Sequence, residues 1–251
     1  TVHEQLGIDC TKELIPIVPT AHYSMGGIPT DVKTRVTNDA QNTPIHGLFA
    51  AGEVGCVSVH GANRLGGNSL LETLVFGRIA GMEMAHFAQT HKTLFHVDET
   101  EHIEQAEKRI ESLLQNKTGP KSHVIQEQLQ KTMMNDCGIF RDKNGLTRAL
   151  RVREKLEKQS QKIHLDDKSP CFNTDLINAL ETQNLVSFSQ AILESALART
   201  ESRGSHFRTD YPMRNDSKWL KHSFVARHGE KIRVFYKPVV VKGYAPEARH
   251  Y

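Results

Sequence analysis

Residues 60–73, His-Gly-Ala-Asn-Arg-Leu-Gly-Gly-Asn-Ser-Leu-Leu-Glu-Thr, run a glycine-rich turn straight into a helix start and place one fixed cation, Arg64, in that turn. A guanidinium is always charged, and its planar fork matches a carboxylate two bonds at a time, so this position suits an anion whose orientation matters. Asn68 and Ser69 can cap the helix, and Ser69-x-x-Glu72 fits a capping box. Leu70, Leu71, Leu74, Val75, Ile79 and Met82 then recur at helical spacing. The bare N–H groups of the first turn are expected to point back at whatever Arg64 faces, which favours an electron-rich ligand.

Upstream, Gly47-Leu-Phe-Ala-Ala-Gly-Glu53 reads as a short buried strand ending in small residues. Ala50, Ala51 and Gly52 would let backbone approach a flat or polyhydroxylated cofactor, and Glu53 can accept hydrogen bonds from its hydroxyls. Strand, small-residue turn, acidic residue, glycine-rich loop and helix start together describe one half of a nucleotide-cofactor site.

Gly47 to Arg78 closely resembles the closing FAD-binding segment of the succinate dehydrogenase and fumarate reductase flavoprotein subunits. Three further segments agree in order: Ala21-His-Tyr-Ser-Met-Gly-Gly-Ile28 before it, and Gly138-Ile-Phe-Arg141 and Glu201-Ser-Arg-Gly-Ser-His-Phe-Arg-Thr-Asp-Tyr-Pro212 after it. L-aspartate oxidases share the Gly-Ala-Asn-Arg core but usually lack the Leu-Gly-Gly found at 65–67. The resemblance implies FAD as cofactor and a reversible exchange of a hydride between a succinate methylene and flavin N5. It makes His22 and Arg64 the substrate-binding pair, Glu53 a ribose contact, and Ser69 and Leu70 backbone contacts to the flavin, with Gly52 and Asn68 in the same cofactor loop. A helix start at Ser69 would stabilise negative charge on reduced flavin by roughly 0.3–2 kcal/mol. The family's proton-carrying Arg sits in a capping domain with no matching segment here, so no catalytic residue is assigned.

No G-x-G-x-x-G turn for an FAD pyrophosphate occurs among the 251 residues. The chain therefore reads as the C-terminal portion of a larger polypeptide, or as one of two chains that jointly make the subunit, and alone it is not expected to hold FAD well.

With 38% hydrophobic and 24% charged residues and a net charge of +3, neither disorder nor a nucleic-acid surface is indicated. The most apolar run, 70–85, is interrupted by Glu72, Arg78 and Glu83, so membrane contact is expected only through partners. Cys10, Cys56, Cys137 and Cys171 lack metal-ligand spacing, and His3, His86, His91 and His96 form no metal arrangement, so no metal site is expected. Reduced thiols fit a cytoplasmic or matrix-like compartment.

The expected fold is mixed α+β/α: the C-terminal part of an FAD-binding α/β domain, a small helical bundle, and a short β-containing C-terminal region. Residues 1–19 read as the tail of a preceding, capping-type domain closed by Pro16-Ile-Val-Pro19, 20–90 as the cofactor segment, 91–203 as helical and 204–251 as the C-terminal region. Helices are expected around Ile103–Leu114 (stopped by Gly119-Pro120), Val124–Met133, Leu146–Leu156 and Leu176–Leu197, and strands at Trp219–Val225 and Ile232–Tyr236 around a His228-Gly229 turn. His60 and Asn63 read as loop scaffolding. Arg199, Glu201, Arg203 and Arg208 read as a structural ion network, or else as an interface to an electron-transfer partner.

The function expected from the resemblance is that of a succinate:quinone or quinol:fumarate oxidoreductase flavoprotein. It would work with an iron–sulfur subunit and, indirectly, membrane anchor subunits, and lie peripheral to the membrane on the cytoplasmic or matrix face. Alternatives are a soluble L-aspartate oxidase-like enzyme and a non-catalytic helical fragment. Retention of His22, Arg64, Glu53 and Ser69 argues against the last.

Overall fold

The structure, a computed structural model, describes residues 2–17, 22–38, 41–91, 98–229, 231–243 and 246–247. Pro19, Ala21 and His96, and the expected boundary between 19 and 20, lie outside the described residues.

Two layers position the site. In the first, a short helix α1 (Val2–Leu6) precedes strands β1 (Ile28–Pro29), β2 (Arg35–Thr37), β3 (Pro44–Phe49) and β4 (Gly55–Cys56). β1 pairs in parallel with β4, and β2 lies antiparallel to β3. Immediately after β3 the small residues Ala50 and Ala51 lead into a 3-10 turn, Gly52–Val54, and then the long helix α2 (Asn68–Thr90) begins beyond the glycine-rich loop. α2 meets β3 through Phe87, whose ring lies 6.1 Å from that of Phe49 and 4.8 Å from that of His46.

This layer corrects one expectation. β3 is not buried: Ile45 and Leu48 are both exposed. The apolar stripe of α2 also faces outward, with Leu70 and Leu74 about three-quarters exposed (73% and 74%). Helical spacing correctly announced the helix but could not say which surface would cover its apolar face.

The second layer is the bundle. It contains α3 (Thr100–Gln115), α4 (Ser122–Cys137), α5 (Lys143–Ser160) and α6 (Thr174–Ala198). Asp142 caps α5 by accepting from the Gly145 N–H at 2.7 Å, and Asn173 caps α6 by accepting from Leu176 at 2.7 Å. Leu113, Ile125, Leu129, Leu156, Ala179 and Val186 meet in one core, extended by Ile163 and Leu165 from the α5–α6 connection. Cys137, Leu146, Ala149, Leu193 and Ala196 form a second.

Gly119-Pro120 does not stop α3, which ends at Gln115. Gly119 instead adopts φ +153° where the chain passes the Lys162 carbonyl, and a Cβ there would fall 1.8 Å from that oxygen. α6 buries polar residues as well as apolar ones. Thr182 accepts from Gln126 at 2.8 Å, and Gln183 donates to the Ser160 carbonyl at 3.0 Å and accepts from Arg109 at 2.7 Å. Its exposed Ile177 and Ile192 are the members of the expected stripe that the core does not take.

Strands β5 (Phe140–Arg141) and β6 (Phe207–Arg208) pair in parallel, joining the bundle to the C-terminal region. There a helical turn, α7 (Asp216–Trp219), precedes the antiparallel hairpin β7 (Lys221–His228) and β8 (Lys231–Pro238). The hairpin lies where expected, but Trp219 belongs to α7, because Asn215 accepts from the Lys218 N–H at 3.0 Å and starts a turn there. No helix among the described residues is long and apolar enough to cross a membrane.

Leu156 is wholly buried where α4, α5 and α6 meet. Leu156→Ala is expected to destabilise the chain by about 2–5 kcal/mol in urea unfolding, the usual cost of a leucine-sized core cavity; a change below about 1 kcal/mol would show that this core repacks freely.

Candidate functional site

The site forms where the 22–27 segment meets the 60–64 loop and the start of α2. Three contacts join them. The Arg64 N–H points at the Met25 sulfur (3.2 Å), the Arg64 guanidinium lies 5.1 Å from the centre of the Tyr23 ring, and the Tyr23 hydroxyl donates to Glu72. Glu72 is only 5% exposed, and the same oxygen, Oε2, lies 2.7 Å from His60 Nε2. A carboxylate oxygen can accept twice, so Nε2–H of His60 and Oη–H of Tyr23 together satisfy it. Burial, then the Glu72 hydrogen bond and the negative charges of Glu72 and Glu53, push the Tyr23 pKa up to about 12, so its hydroxyl remains a donor. A cavity of about 20 Å³, the size of one water molecule, lies between Tyr23, His60, Glu72 and the 55–59 loop.

This overturns the expected capping box. The helix starts at Asn68, its N-cap is Gly67 in the left-handed region (φ +81°), and no side chain caps it. Glu72 is turned away toward Tyr23 and His60, because a buried carboxylate gains more from two side-chain donors than from one backbone N–H. At the helix start the Asn68 N–H reaches the Leu65 carbonyl at 3.2 Å and that of Leu71 reaches Gly67 at 3.4 Å. The N–H groups of Ser69 and Leu70 have no partner among the described residues.

Arg64 forms no ion pair among the described residues. Its Nη1 donates to the Leu65 carbonyl at 3.2 Å, and its Nε is buried without a partner there. His22 is exposed on the same segment as Tyr23. Glu53, also exposed, accepts from the Ser24 N–H at 2.9 Å through Oε1, which ties it to that segment rather than to an arginine. Gly52 sits at φ +76°, and a Cβ added to it would lie only 3.0 Å from a Thr73 methyl, so the turn ahead of Glu53 excludes a side chain. The expected residues Gly52, Glu53, Arg64, Asn68, Ser69 and Leu70 thus fall on two adjoining loops and one helix start. Tyr23 escaped sequence reasoning, its only signal being a tyrosine inside the 21–28 motif, and Glu72 was given a cap's role although it is an acidic residue in an otherwise apolar helical stretch.

A further contact comes from the C-terminal region. The Ser205 N–H and hydroxyl both donate to the Ala62 carbonyl, at 3.0 and 3.1 Å, and Gly204 lies so close that a Cβ would meet that oxygen at 2.3 Å. The turn carrying them is fixed by an ion network. Glu201 is wholly buried and accepts from Arg199 at 2.6 Å, from Arg203 at 2.7 and 2.9 Å, and from the Asn215 N–H at 2.9 Å. Burial alone would raise its pKa, but the bonds from Arg203, the Asn215 N–H and Arg199 outweigh that and hold it below the ordinary carboxylate value. Arg203 continues to Asp216, and Arg208 pairs with Asp210 at 2.7 Å. The cluster is therefore a structural network, as the first of the two sequence readings has it.

Residues 126–251 match the family described as fumarate reductase flavoprotein C-term, and residues 1–70 match the FAD binding domain family. The chain belongs to the succinate dehydrogenase and fumarate reductase flavoprotein family. The succinate dehydrogenase flavoprotein subunit of Coxiella burnetii is 42% identical over 239 residues, covering 94% of this chain and 40% of that protein. The fumarate reductase flavoprotein subunit of Mycobacterium tuberculosis is 40% identical, covering 97% of this chain and 42% of that protein. Among solved structures, FrdA of Escherichia coli quinol fumarate reductase superposes with a TM-score of 0.86 at 34% identity, over 98% of this chain and 42% of that one. The chain thus spans about two fifths of the length of these flavoprotein relatives.

In this flavoprotein segment the Ser205 turn depends on a neutral histidine. His206 Nδ1 faces Arg141 Nη1 at 3.1 Å, and since arginine only donates, Nδ1 accepts and Nε2–H donates to the Arg199 carbonyl at 3.2 Å. Burial first, and then the cations of Arg141, Arg199 and Arg208, push its pKa from 6.5 down to about 4. The unfolded chain takes up this proton near pH 6.5 and the folded one only near 4, so the stability due to neutral His206 is complete above 6.5 and falls as pH drops toward 4. Urea unfolding midpoints are expected to fall across that window, and less steeply in His206→Gln; an identical slope in the variant would place the proton uptake elsewhere.

Proposed function

We propose that this chain supplies the closing half of an FAD site, and one wall of a dicarboxylate site beside it, in a flavoprotein that interconverts succinate and fumarate. The observation that carries this is the juxtaposition at the start of α2. Arg64 is held by the Tyr23 ring, with no carboxylate of its own among the described residues, beside Ser69 and Leu70 whose N–H groups likewise have no partner there. Unpaired donors at a helix start suit an electron-rich ring, and an arginine without an internal counter-ion suits an incoming carboxylate.

The residues present fit FAD. Ser69 and Leu70 would donate to the electron-rich edge of the flavin, Glu53 would accept from a ribose hydroxyl, and Gly52 and Asn68 would keep the loop low enough for close approach. FAD supplies the hydride acceptor or donor of the reaction. Arg64 binds and orients one substrate carboxylate through its fork, and His22 takes the other. A four-carbon dicarboxylate needs two separated anion contacts, and these lie on different segments. The proton that must leave or join the neighbouring carbon is carried by a group outside the residues assigned here.

The same reading gives the outward apolar face of α2, with Leu70, Leu71 and Leu74, to the rest of the flavoprotein, since an apolar face of that extent is seldom left in water. It divides the chain at about 19, 90 and 203, passes electrons to an iron–sulfur subunit and a quinone pool, and places the assembly on the cytoplasmic or matrix face of a membrane through anchor subunits.

The deciding experiment is the anaerobic visible spectrum of the intact flavoprotein assembly before and after succinate, with aspartate as control. Bleaching by succinate alone is expected; bleaching by aspartate would assign the chain to an amino-acid oxidase, and the absence of flavin would remove the cofactor. Arg64→Lys is expected to retain flavin but lose ~10–100-fold in kcat/KM for succinate, because a point charge forfeits one charge-assisted hydrogen bond worth about 1.5–3 kcal/mol. Near-normal turnover in that variant would take Arg64 out of the site.

A further inference from the structure

Arg64 is held in an unusual way. Arginines that must stay fixed are commonly anchored by a carboxylate, yet here the guanidinium is met by the face of a ring, with its centre 5.1 Å from that of Tyr23. A paired carboxylate would occupy the fork that an anionic ligand needs. A ring holds the cation by its face and puts no carboxylate on the in-plane donors, of which Nη1 meets only the Leu65 carbonyl among the described residues.

The ring is itself locked. Tyr23 donates to Glu72, which is buried and also held by His60 at 2.7 Å, and the Tyr23 and His60 rings meet edge to face at 5.4 Å. Donating to a carboxylate also raises electron density on the phenol ring, which strengthens its attraction for a cation. The partners come from three separate pieces of chain: the 22–27 segment, the 60–64 loop and the second turn of α2.

We propose that Tyr23, clamped by Glu72 and His60, is a positioning residue that sets Arg64 relative to the His22 segment, so that the two anion-binding side chains act at a fixed separation and select a dicarboxylate by its length. This rests on the dicarboxylate reading above. Tyr23 acts through Arg64 and does not touch the reacting atoms.

The test uses the intact flavoprotein assembly and titrates malonate, an unreactive three-carbon dicarboxylate, against the flavin absorption spectrum. Tyr23→Phe keeps the ring and removes the hydroxyl bond to Glu72; Tyr23→Leu removes both. Malonate affinity is expected to fall roughly tenfold in Tyr23→Phe, the loss of about one hydrogen bond to a charged group, and further in Tyr23→Leu. Flavin content is expected to hold, and KM for succinate to rise more than kcat falls. Unchanged malonate affinity in both variants overturns the positioning role, as does loss of flavin from a fraction of molecules while the remainder bind malonate normally, which makes Tyr23 merely structural. An unmodified assembly with flavin but no response to malonate or succinate overturns the dicarboxylate reading, and the positioning role with it.

Discussion

A carboxylate cannot be taken out of water unless donors replace the water it loses, and this requirement, met at Glu201, holds the C-terminal third of the chain together. Its two oxygens collect Arg199 from the end of α6, Arg203 from the following turn and the Asn215 N–H ahead of α7. Arg199 goes on to donate to the Trp219 and Lys221 carbonyls, at 3.0 and 2.5 Å, so the same cation anchors the hairpin. Because Arg199, Arg203 and the Asn215 N–H share this one buried carboxylate, removing Glu201 would break all of these contacts together. The turn it fixes carries Gly204 and Ser205, and through them reaches the Ala62 carbonyl two residues ahead of Arg64.

The cofactor segment uses the same physics on a smaller scale. Glu72 collects Tyr23 and His60, and the arrangement of Arg64 follows from where the Tyr23 ring is held. One buried carboxylate therefore braces the anion-binding loop from the helix side and another from the C-terminal side. Between them the first turn of α2 keeps backbone donors in reserve, and Arg64 keeps its charge uncommitted among the described residues. The functional reading depends on this contrast: Glu72 and Glu201 have their donors, whereas the Ser69 and Leu70 N–H groups and Arg64 Nε have no partner among the described residues.

The helices of the bundle were legible because their signals are local. Leu146 and Leu156 on α5 and Leu193 on α6 each belong to a helically spaced apolar set and all three are buried, and the hairpin shows in its β-branched and aromatic residues and its glycine turn. Where sequence reasoning failed, it assigned a local partner to a residue with a distant one. Ser69-x-x-Glu72 satisfies the capping-box pattern, yet Glu72 bonds to a tyrosine 49 residues earlier. Gly119 satisfies the pattern of a helix stop, yet it is a glycine because the Lys162 carbonyl passes beside it. Periodicity also left open where the stripe on α2 would point, because it reports that a face is apolar and not what covers it.

The sequence by itself determined the family motifs, the order of helices and hairpin, and the residue types available to bind a cofactor and an anion, since each of these depends on spacing within a turn or two of chain. Only the tertiary structure decided which carboxylates are buried, which donors satisfy them, and which N–H groups and which cation stay without a partner among the described residues. Those outcomes depend on donors and acceptors brought together from segments as far apart as Ala62 and Ser205, separated by 143 residues. Burial makes such pairing obligatory, and no local pattern records it.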